Sequence, residues 1–283
     1  MPSTDDLVPV LKKLRLSGVL STLDLRTREA VDQDLSHGEF LFRLCTDEIG
    51  RRESKQLELR LRRASFESTK RIDDFEWSFN PQVPKAKVID LATCQFVERQ
   101  ENAILIGPTG VGKSHLAQAI GERACRIGHS ACYVSAHRML SQLRAARADQ
   151  SYDKKLLRFT SPDLLVVDDL GLRPLEGDEP IDLYEIIRQR YERGSMIVTS
   201  NRAIEEWYPL FLDDLIASAA MDRLLHHAHV VVMEGHSYRN PPPGRSAPPP
   251  ADTQPGGPRR RPPRPLAPPE RARRSQVDQL EAS

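Results

Sequence analysis

The chain has 283 residues, of which 39% are hydrophobic and 29% are charged, and this composition is typical of a globular protein with a sizeable core. Its apolar runs are far shorter than the roughly 20 residues that cross a bilayer, and its N-terminus lacks the pattern of a secretory signal. We therefore expect neither a membrane protein nor an exported one. The four cysteines form no Cys-x-x-Cys pair, which argues against a disulfide framework or a zinc site and favours a cytoplasmic protein.

The first part of the chain is rich in leucines at helical spacing. Leu7, Leu11 and Leu14 recur three to four residues apart among charged residues, and this periodicity predicts amphipathic helices. We expect a small all-helical N-terminal domain over residues 1–78 that binds DNA or a protein partner.

A basic stretch lies near the end of this segment. Residues 51–71 contain eight Lys or Arg against three Glu, although the net charge of the whole chain is only +1. A solvated helix face accounts for such a cluster, and so does a surface that neutralises DNA phosphates and releases their counterions. The second interpretation predicts that Arg60, Arg62 and Arg63 contact DNA.

Short apolar runs alternate with helix-like stretches between residues 79 and 240. Five of these runs have the character of strands: AILIG, ACYV, LLVVDD, MIVTSN and HVVVM. Strands that alternate with helices predict a parallel sheet with right-handed crossovers. We expect an α/β domain over residues 79–240, with helices flanking the sheet.

The composition changes abruptly after this domain. Residues 241–283 are rich in Pro and Arg and contain few apolar side chains, so they cannot bury enough surface to fold. We expect a disordered tail, and we assign it no required function.

The most specific motif follows the first apolar run and precedes a helix-like stretch. It matches G-x-x-x-x-G-K-[ST] and comprises Gly107, Pro108, Thr109, Gly110, Val111, Gly112, Lys113 and Ser114. Glycines at this spacing let the backbone turn tightly and point amide N–H groups at phosphate oxygens. Lys113 is expected to contact the β- and γ-phosphates of a nucleoside triphosphate such as ATP, and Ser114 to ligate Mg²⁺.

Two carboxylates end the third apolar run. Asp168 lies 55 residues after Lys113, a separation that fits one intervening strand and two helices. Taken alone, the pair Asp168 and Asp169 would be explained by a turn after a strand. With the loop, it predicts that Asp168 orients Mg²⁺ through water and that Asp169 acts as a general base or orients the attacking water.

Two further residues are candidates for the same site. Asn201 follows the fourth apolar run, where it would sense the γ-phosphate, although capping of a following helix also explains it. Arg223 lies late in the domain on a predicted helix, where it would reach the γ-phosphate of a neighbouring subunit as an arginine finger. A surface salt bridge is the alternative for Arg223.

In these motifs the chain resembles the IstB-like family, the ATP-binding helper proteins of insertion-sequence transposons, which are AAA+ ATPases related to the DnaC helicase loader. The resemblance extends over about residues 5–240. Besides the loop it rests on five segments in family order: 102–107 (NAILIG), 190–193 (RYER), 199–201 (TSN), 222–227 (DRLLHH) and 235–239 (GHSYR).

The resemblance implies an AAA+ ATPase domain over residues 79–240. In that scheme Asp168 and Asp169 are the Walker B pair, Asn201 is the sensor, Arg223 is the trans-acting finger and Arg239 is a further phosphate or DNA contact. The cofactors are ATP and Mg²⁺, and the partners are double-stranded DNA, a cognate transposase and further copies of the chain, which assemble with ATP and disassemble on hydrolysis. Target sequence, oligomer size and the identity of the transposase do not follow.

Two departures from the family pattern leave alternatives open. Many relatives carry Glu where this chain has Asp169, so hydrolysis would be slower or a DNA-bound scaffold would hold ATP without useful turnover. The tail after Asn240 has no counterpart in the usual pattern.

A DnaC-like helicase loader shares the whole core, and a small-molecule P-loop kinase would share only the loop.

Overall fold

The computed structural model describes residues 4–211 and 213–240. The tail that the sequence predicts to be disordered, residues 241–283, lies outside the described residues. Across the described ranges, no helix combines the length and the apolar character needed to cross a membrane.

Helices precede the sheet, as the leucine spacing predicts. They are α1 (Thr4–Lys13), α2 (Ser17–Asp32) and α3 (His37–Ala64). α3 begins where the Ser36 hydroxyl accepts a hydrogen bond from the Glu39 N–H, which satisfies a free amide of the first helical turn. A small apolar cluster of Val19, Leu23 and Leu44 holds α2 against α3.

A five-stranded parallel sheet follows. Its strands are β1 (Asn102–Ile106), β2 (Ala131–Ser135), β3 (Leu164–Asp168), β4 (Ser195–Ser200) and β5 (Ala228–Val232). They lie in the order β2-β3-β4-β1-β5, and every neighbouring pair is parallel. All five apolar runs of the sequence form these strands, so the predicted α/β fold is confirmed.

Helices cover both faces of the sheet. They are α4 (Lys85–Ala92), α5 (Gln95–Glu98), α6 (Lys113–Ile127), α7 (Ala136–Ala148), α8 (Tyr152–Thr160), α9 (Glu179–Arg190), a 3-10 helix (Ile204–Leu210) and α10 (Asp214–Leu225). One core forms between the sheet and α7, α8, α9 and α10. The other forms between the sheet and α4, α6 and the end of α3.

The middle of the sheet is buried on both faces, and β3 illustrates why. Leu165 and Val167 enter the first core, whereas Leu164 and Val166 enter the second, because successive side chains of a strand point to opposite faces. A central parallel strand therefore needs a continuous apolar run rather than an alternating one. This requirement explains the sequence LLVV before the two carboxylates.

The carboxyl ends of the strands meet at one edge of the sheet. Ile106 at the end of β1 pairs with Ser200 at the end of β4, and Asp168 at the end of β3 pairs with Ser135 at the end of β2. In open α/β sheets, ligands bind at this edge. The glycine-rich loop after β1 and the carboxylates after β3 are therefore brought to the same side.

The last part of α3 packs on α6, the helix that starts in the glycine-rich loop. The Arg60 Nε donates to the Cys125 carbonyl oxygen at 2.9 Å, and Ala64 is fully buried in the second core. Just beyond α3, the Glu67 N–H donates to Oε1 of Gln118 on α6 at 3.1 Å. A domain boundary near residue 78 stays a prediction, because these contacts do not decide it.

Candidate nucleotide-binding site

The loop between β1 and α6 has the backbone form that a phosphate cradle needs. Gly110 and Gly112 have φ of 87° and 104°, a left-handed region that is accessible to glycine at no steric cost. A Cβ on Gly110 would also collide with the Ser237 side chain, and one on Gly112 would lie 2.5 Å from the Phe75 ring. Both conformation and space therefore require glycine at these two positions.

Lys113 is folded back into its own loop. Its Nζ donates to the carbonyl oxygens of Gly107 and Pro108, each at 2.8 Å, and the residue is only 5% exposed. Burial lowers the pKa of Lys113, and the nearby charges of Asp169 and Asp168 oppose that shift. The ammonium group is thus held where phosphate oxygens would replace carbonyl oxygens as its acceptors.

The other residues of the loop differ in their exposure. Pro108 and Thr109 are exposed at its tip, whereas Val111 is buried and anchors it. Ser114 lies in the first turn of α6 and is half-buried, so its hydroxyl is near the helix N-terminus. Free amide groups and the helix dipole favour an anion there.

Asp168 is fixed between two hydroxyl groups from neighbouring strands. The Tyr133 hydroxyl on β2 donates to Oδ2 at 2.6 Å, and the Thr199 hydroxyl on β4 donates to Oδ1. Asp168 is 4% exposed. Buried carboxylates need such donors, and both oxygens of Asp168 have one.

Asp169 turns the chain away from β3. Its φ is 57°, and its N–H donates to the Thr199 Oγ1 at 2.9 Å, so the same hydroxyl contacts both carboxylate residues. Burial raises the pKa of Asp169, and the charge of Asp168 adds to that shift while Lys113 opposes it. A carboxyl group with a raised pKa is better suited to accept a proton than an ordinary exposed one.

Asn201 follows β4 and is exposed. The 3-10 helix begins at Ile204 with Ala203 as its N-cap, so the alternative role of Asn201 as its cap is not realised. The β4 residue that contacts Asp168 is instead Thr199. Neither Thr199 nor Tyr133 was among the residues predicted for the site, although each is a hydroxyl residue within a buried apolar run next to β3.

Arg223 lies at the opposite end of the sheet. It precedes β5, near the start of β1, where the Asn102 Nδ2 donates to the Leu224 carbonyl oxygen at 3.0 Å. β1 has five residues, which span roughly 16 Å in a strand, and the loop is at its other end. The Arg223 guanidinium lies 5.7 Å from the Tyr184 ring centre, and its Nη1 donates to the Ala219 carbonyl oxygen.

The segment after β5 runs across the glycine-rich loop. The Met233 N–H donates to the Ile106 carbonyl oxygen at 2.8 Å, and the Tyr238 N–H donates to that of Gly110 at 2.9 Å. Arg239 follows and is exposed. Its charge contributes to the low pKa of Lys113 and opposes the raised pKa of Asp169, so it lies close to the site.

The three arginines predicted to contact DNA differ in their surroundings. Arg62 and Arg63 are exposed in the last turn of α3, whereas Arg60 is half-buried and bonded to Cys125. Arg62 and Arg63 are therefore available to a ligand, while Arg60 holds α3 on α6.

The residues at the carboxyl edge suit a magnesium nucleotide. Within the described ranges, no group of three or more His, Cys, Asp or Glu could form a metal cage. Mg²⁺ bound with a nucleotide needs no such cage, because phosphates and waters supply most of its ligands. At this edge, the Ser114 hydroxyl and the Asp168 carboxylate are oxygen groups of the hard kind that Mg²⁺ prefers.

Comparison with known proteins gives a consistent assignment. Residues 9–242 match the IstB-like ATP binding protein family. An ATP-binding protein of an insertion sequence in Mycobacterium tuberculosis is 42% identical over 230 residues, 81% of this chain and 92% of the relative. The IS5376 ATP-binding protein of Geobacillus stearothermophilus is 35% identical over 210 residues, which cover 74% of this chain and 84% of the relative.

Solved structures support the fold. The crystal structure of DnaI aligns with a TM-score of 0.50 at 21% identity, covering 58% of this chain and 91% of DnaI. DnaA bound to AMPPCP and single-stranded DNA also aligns with a TM-score of 0.50, at 18% identity, over 61% of this chain and 52% of DnaA. With a fold like that of DnaI and DnaA and a family match over most of its length, the chain belongs to the IstB-like ATP-binding proteins of insertion sequences.

Proposed function

We propose that the protein is an ATPase that assembles with ATP as a homo-oligomer on double-stranded DNA, recruits or stimulates the transposase of its insertion sequence, and disassembles on hydrolysis. The observation that carries this proposal is that the glycine-rich loop and a pair of carboxylates lie at one edge of the sheet. The chain's relatives are named as ATP-binding proteins of insertion sequences.

Binding would begin at the glycine-rich loop. Lys113 would exchange the carbonyl oxygens of Gly107 and Pro108 for β- and γ-phosphate oxygens, with the loop amides donating beside it. Ser114 would ligate Mg²⁺, and Asp168 would orient it through water. Bound Mg²⁺ would neutralise charge on the phosphates.

Hydrolysis would use the neighbouring polar residues. Asp169 would orient the attacking water and accept its proton as the water oxygen bonds to the γ-phosphorus and the bond to the bridging oxygen of ADP breaks. Asn201 would contact the γ-phosphate from the end of β4. Asp169 is shorter by one methylene than the Glu of many relatives, so we expect slower hydrolysis rather than loss of binding.

The position of Arg223 favours a site shared between subunits. It lies about one strand length from the loop of its own chain, so it would act on the nucleotide of a neighbour. Such a head-to-tail contact joins different surfaces of the two subunits and extends into a ring or a filament. This arrangement would couple ATP binding to assembly.

DNA would be held mainly through its phosphates. Arg62 and Arg63 are exposed on the basic stretch of α3, and phosphate contacts carry little sequence information. We therefore expect largely non-specific duplex binding through this helix.

The test is ATP hydrolysis with and without duplex DNA, at fixed salt, together with stimulation of strand transfer by the purified transposase of the same element. We expect DNA to accelerate hydrolysis and ATP to be required for stimulation. An ATP hydrolysis rate that is the same with and without DNA would favour a metabolic P-loop enzyme. Capture of a replicative helicase, without any effect on the transposase, would favour a helicase loader.

A further inference from the structure

Tyr133 links the central strands at the candidate magnesium site. Its hydroxyl donates to Oδ2 of Asp168, while that of Thr199 donates to Oδ1. The three side chains come from three adjacent strands, and each is less than 5% exposed. The carboxylate therefore cannot rotate without losing a charge-assisted hydrogen bond.

We propose that Tyr133 is a positioning residue, whose hydroxyl holds the Asp168 carboxylate in the orientation that orders the water ligands of Mg²⁺. This inference rests on the proposed function, because it concerns the same site. Each carboxylate oxygen has two lone pairs, so both oxygens of Asp168 keep an acceptor for water while Tyr133 and Thr199 hold them.

Packing explains the ring of Tyr133 but not its hydroxyl. The ring lies in the second core and contacts the Phe66 ring, with centroids 6.2 Å apart. A phenylalanine would fill the same space. Burial and the hydrogen bond to Asp168 raise the pKa of Tyr133, so the hydroxyl stays protonated and remains a donor at neutral pH.

The chain contains a matched control for the loss of this hydroxyl. Tyr152 on α8 also donates to a buried aspartate, at 2.8 Å to Oδ1 of Asp182. That pair lies among the helices on the other face of the sheet, apart from the glycine-rich loop. Tyr152→Phe therefore removes the same chemical group from a comparable bond without touching the site.

The decisive measurement is the affinity for a fluorescent ADP, with and without Mg²⁺, for the wild type, Tyr133→Phe and Tyr152→Phe. Partners behind a metal ligand commonly change metal affinity by about tenfold or more. Without Mg²⁺, we expect Tyr133→Phe to bind the nucleotide with the affinity of the wild type. The factor by which Mg²⁺ raises this affinity should be about tenfold smaller in Tyr133→Phe than in the wild type. Tyr152→Phe should keep the whole gain, and melting temperatures report folding in parallel.

Several results would contradict the proposed role of Tyr133. If the wild type gains affinity from Mg²⁺ and Tyr133→Phe gains as much, the role of Tyr133 is wrong while the proposed function stands. If the wild type does not bind the nucleotide at all, both fail. Equal losses in the two variants, or a Tyr133→Phe chain that does not fold, would show that the hydroxyl serves the fold and would overturn the inference.

Discussion

The two ends of the sheet are built from different chemistry. At the carboxyl end, a glycine-rich loop, a buried lysine and two carboxylates surround a place for phosphates. At the amino end, a buried arginine ties backbone segments together through their carbonyl oxygens. Arg190 is 1% exposed, and its guanidinium donates to five of them, those of Phe159, Thr160, Pro162, Asp163 and Ser195.

This difference agrees with our proposal that one chain carries two halves of a catalytic site. Burial lowers the pKa of Arg190 to about 10, so it remains charged at neutral pH and serves to tie strands and loops together. Arg223 borders this fixed region, together with Tyr191 and His226, which contact each other at 3.0 Å. The carboxyl end would bind ATP, and the amino end would present an arginine to the next subunit.

The largest expected effect on ATP affinity follows from removing the cation of the carboxyl end. Lys113→Ala should weaken ATP binding at least about 100-fold, because two hydrogen bonds to charged phosphates are lost at about 1.5 kcal/mol or more each. Equilibrium binding of a fluorescent ATP analogue measures this. Exposed Lys87 supplies the control, and equal losses in Lys87→Ala would contradict a specific role for the loop.

The next prediction distinguishes the role of the amino end of the sheet from that of the carboxyl end. Arg223→Ala should slow hydrolysis about 1000-fold or more, the usual range for an arginine finger, and leave ATP affinity unchanged. Single-turnover hydrolysis on DNA and equilibrium binding report the two quantities. The control is Arg193→Ala, which removes an exposed arginine. A loss of ATP affinity as large as the loss of rate would place Arg223 in its own chain's site.

A third prediction concerns Asp169 at the carboxyl end and the pH dependence of folding stability. The pKa of Asp169 is raised in the folded chain, so folding disfavours its ionised form. Ionised Asp169 therefore destabilises the fold, and the free energy of unfolding falls as pH rises through the folded pKa. Asp169→Asn should abolish hydrolysis yet raise the melting temperature near neutral pH.

The gain in melting temperature from Asp169→Asn should shrink as pH falls through the raised pKa toward 3.8, the ordinary value for Asp. Thermal unfolding at several pH values measures it. A gain that grows at low pH would mean that the pKa of Asp169 is lowered in the folded chain and would contradict this prediction.

The smallest effect concerns α3. Replacing Arg62 and Arg63 with Ala should lower the salt slope of DNA binding by about 2, because each phosphate contact contributes about 0.9, and leave stability unchanged. Arg60→Ala should instead cost about 1 kcal/mol of unfolding free energy through the lost bond to Cys125. A slope unaffected by the double variant would remove α3 from the DNA contact.

The sequence predicted the carboxyl end better than the amino end for a physical reason. Phosphate binding demands glycines, a lysine and carboxylates at fixed spacing, so local sequence reveals it. The bonds of Tyr133 and Thr199 to Asp168 join residues far apart in the chain. Likewise, the sequence indicates Arg190 only as part of a family segment. Its acceptors are backbone carbonyl oxygens, which every residue has, so no particular residue type marks them. The roles of all the predicted site residues stay predictions, those of Asn201, Arg223 and Arg239 included.

The central claim is that each active site combines the carboxyl end of one subunit with the amino end of another. The most direct test mixes Asp169→Asn and Arg223→Ala chains, each inactive alone, and measures ATP hydrolysis on DNA. Random pairing in equal amounts makes about one interface in four complete, with an intact Asp169 facing an intact Arg223. We predict recovery of about a quarter of the wild-type rate. A mixture no faster than its separate components would contradict a site shared between subunits.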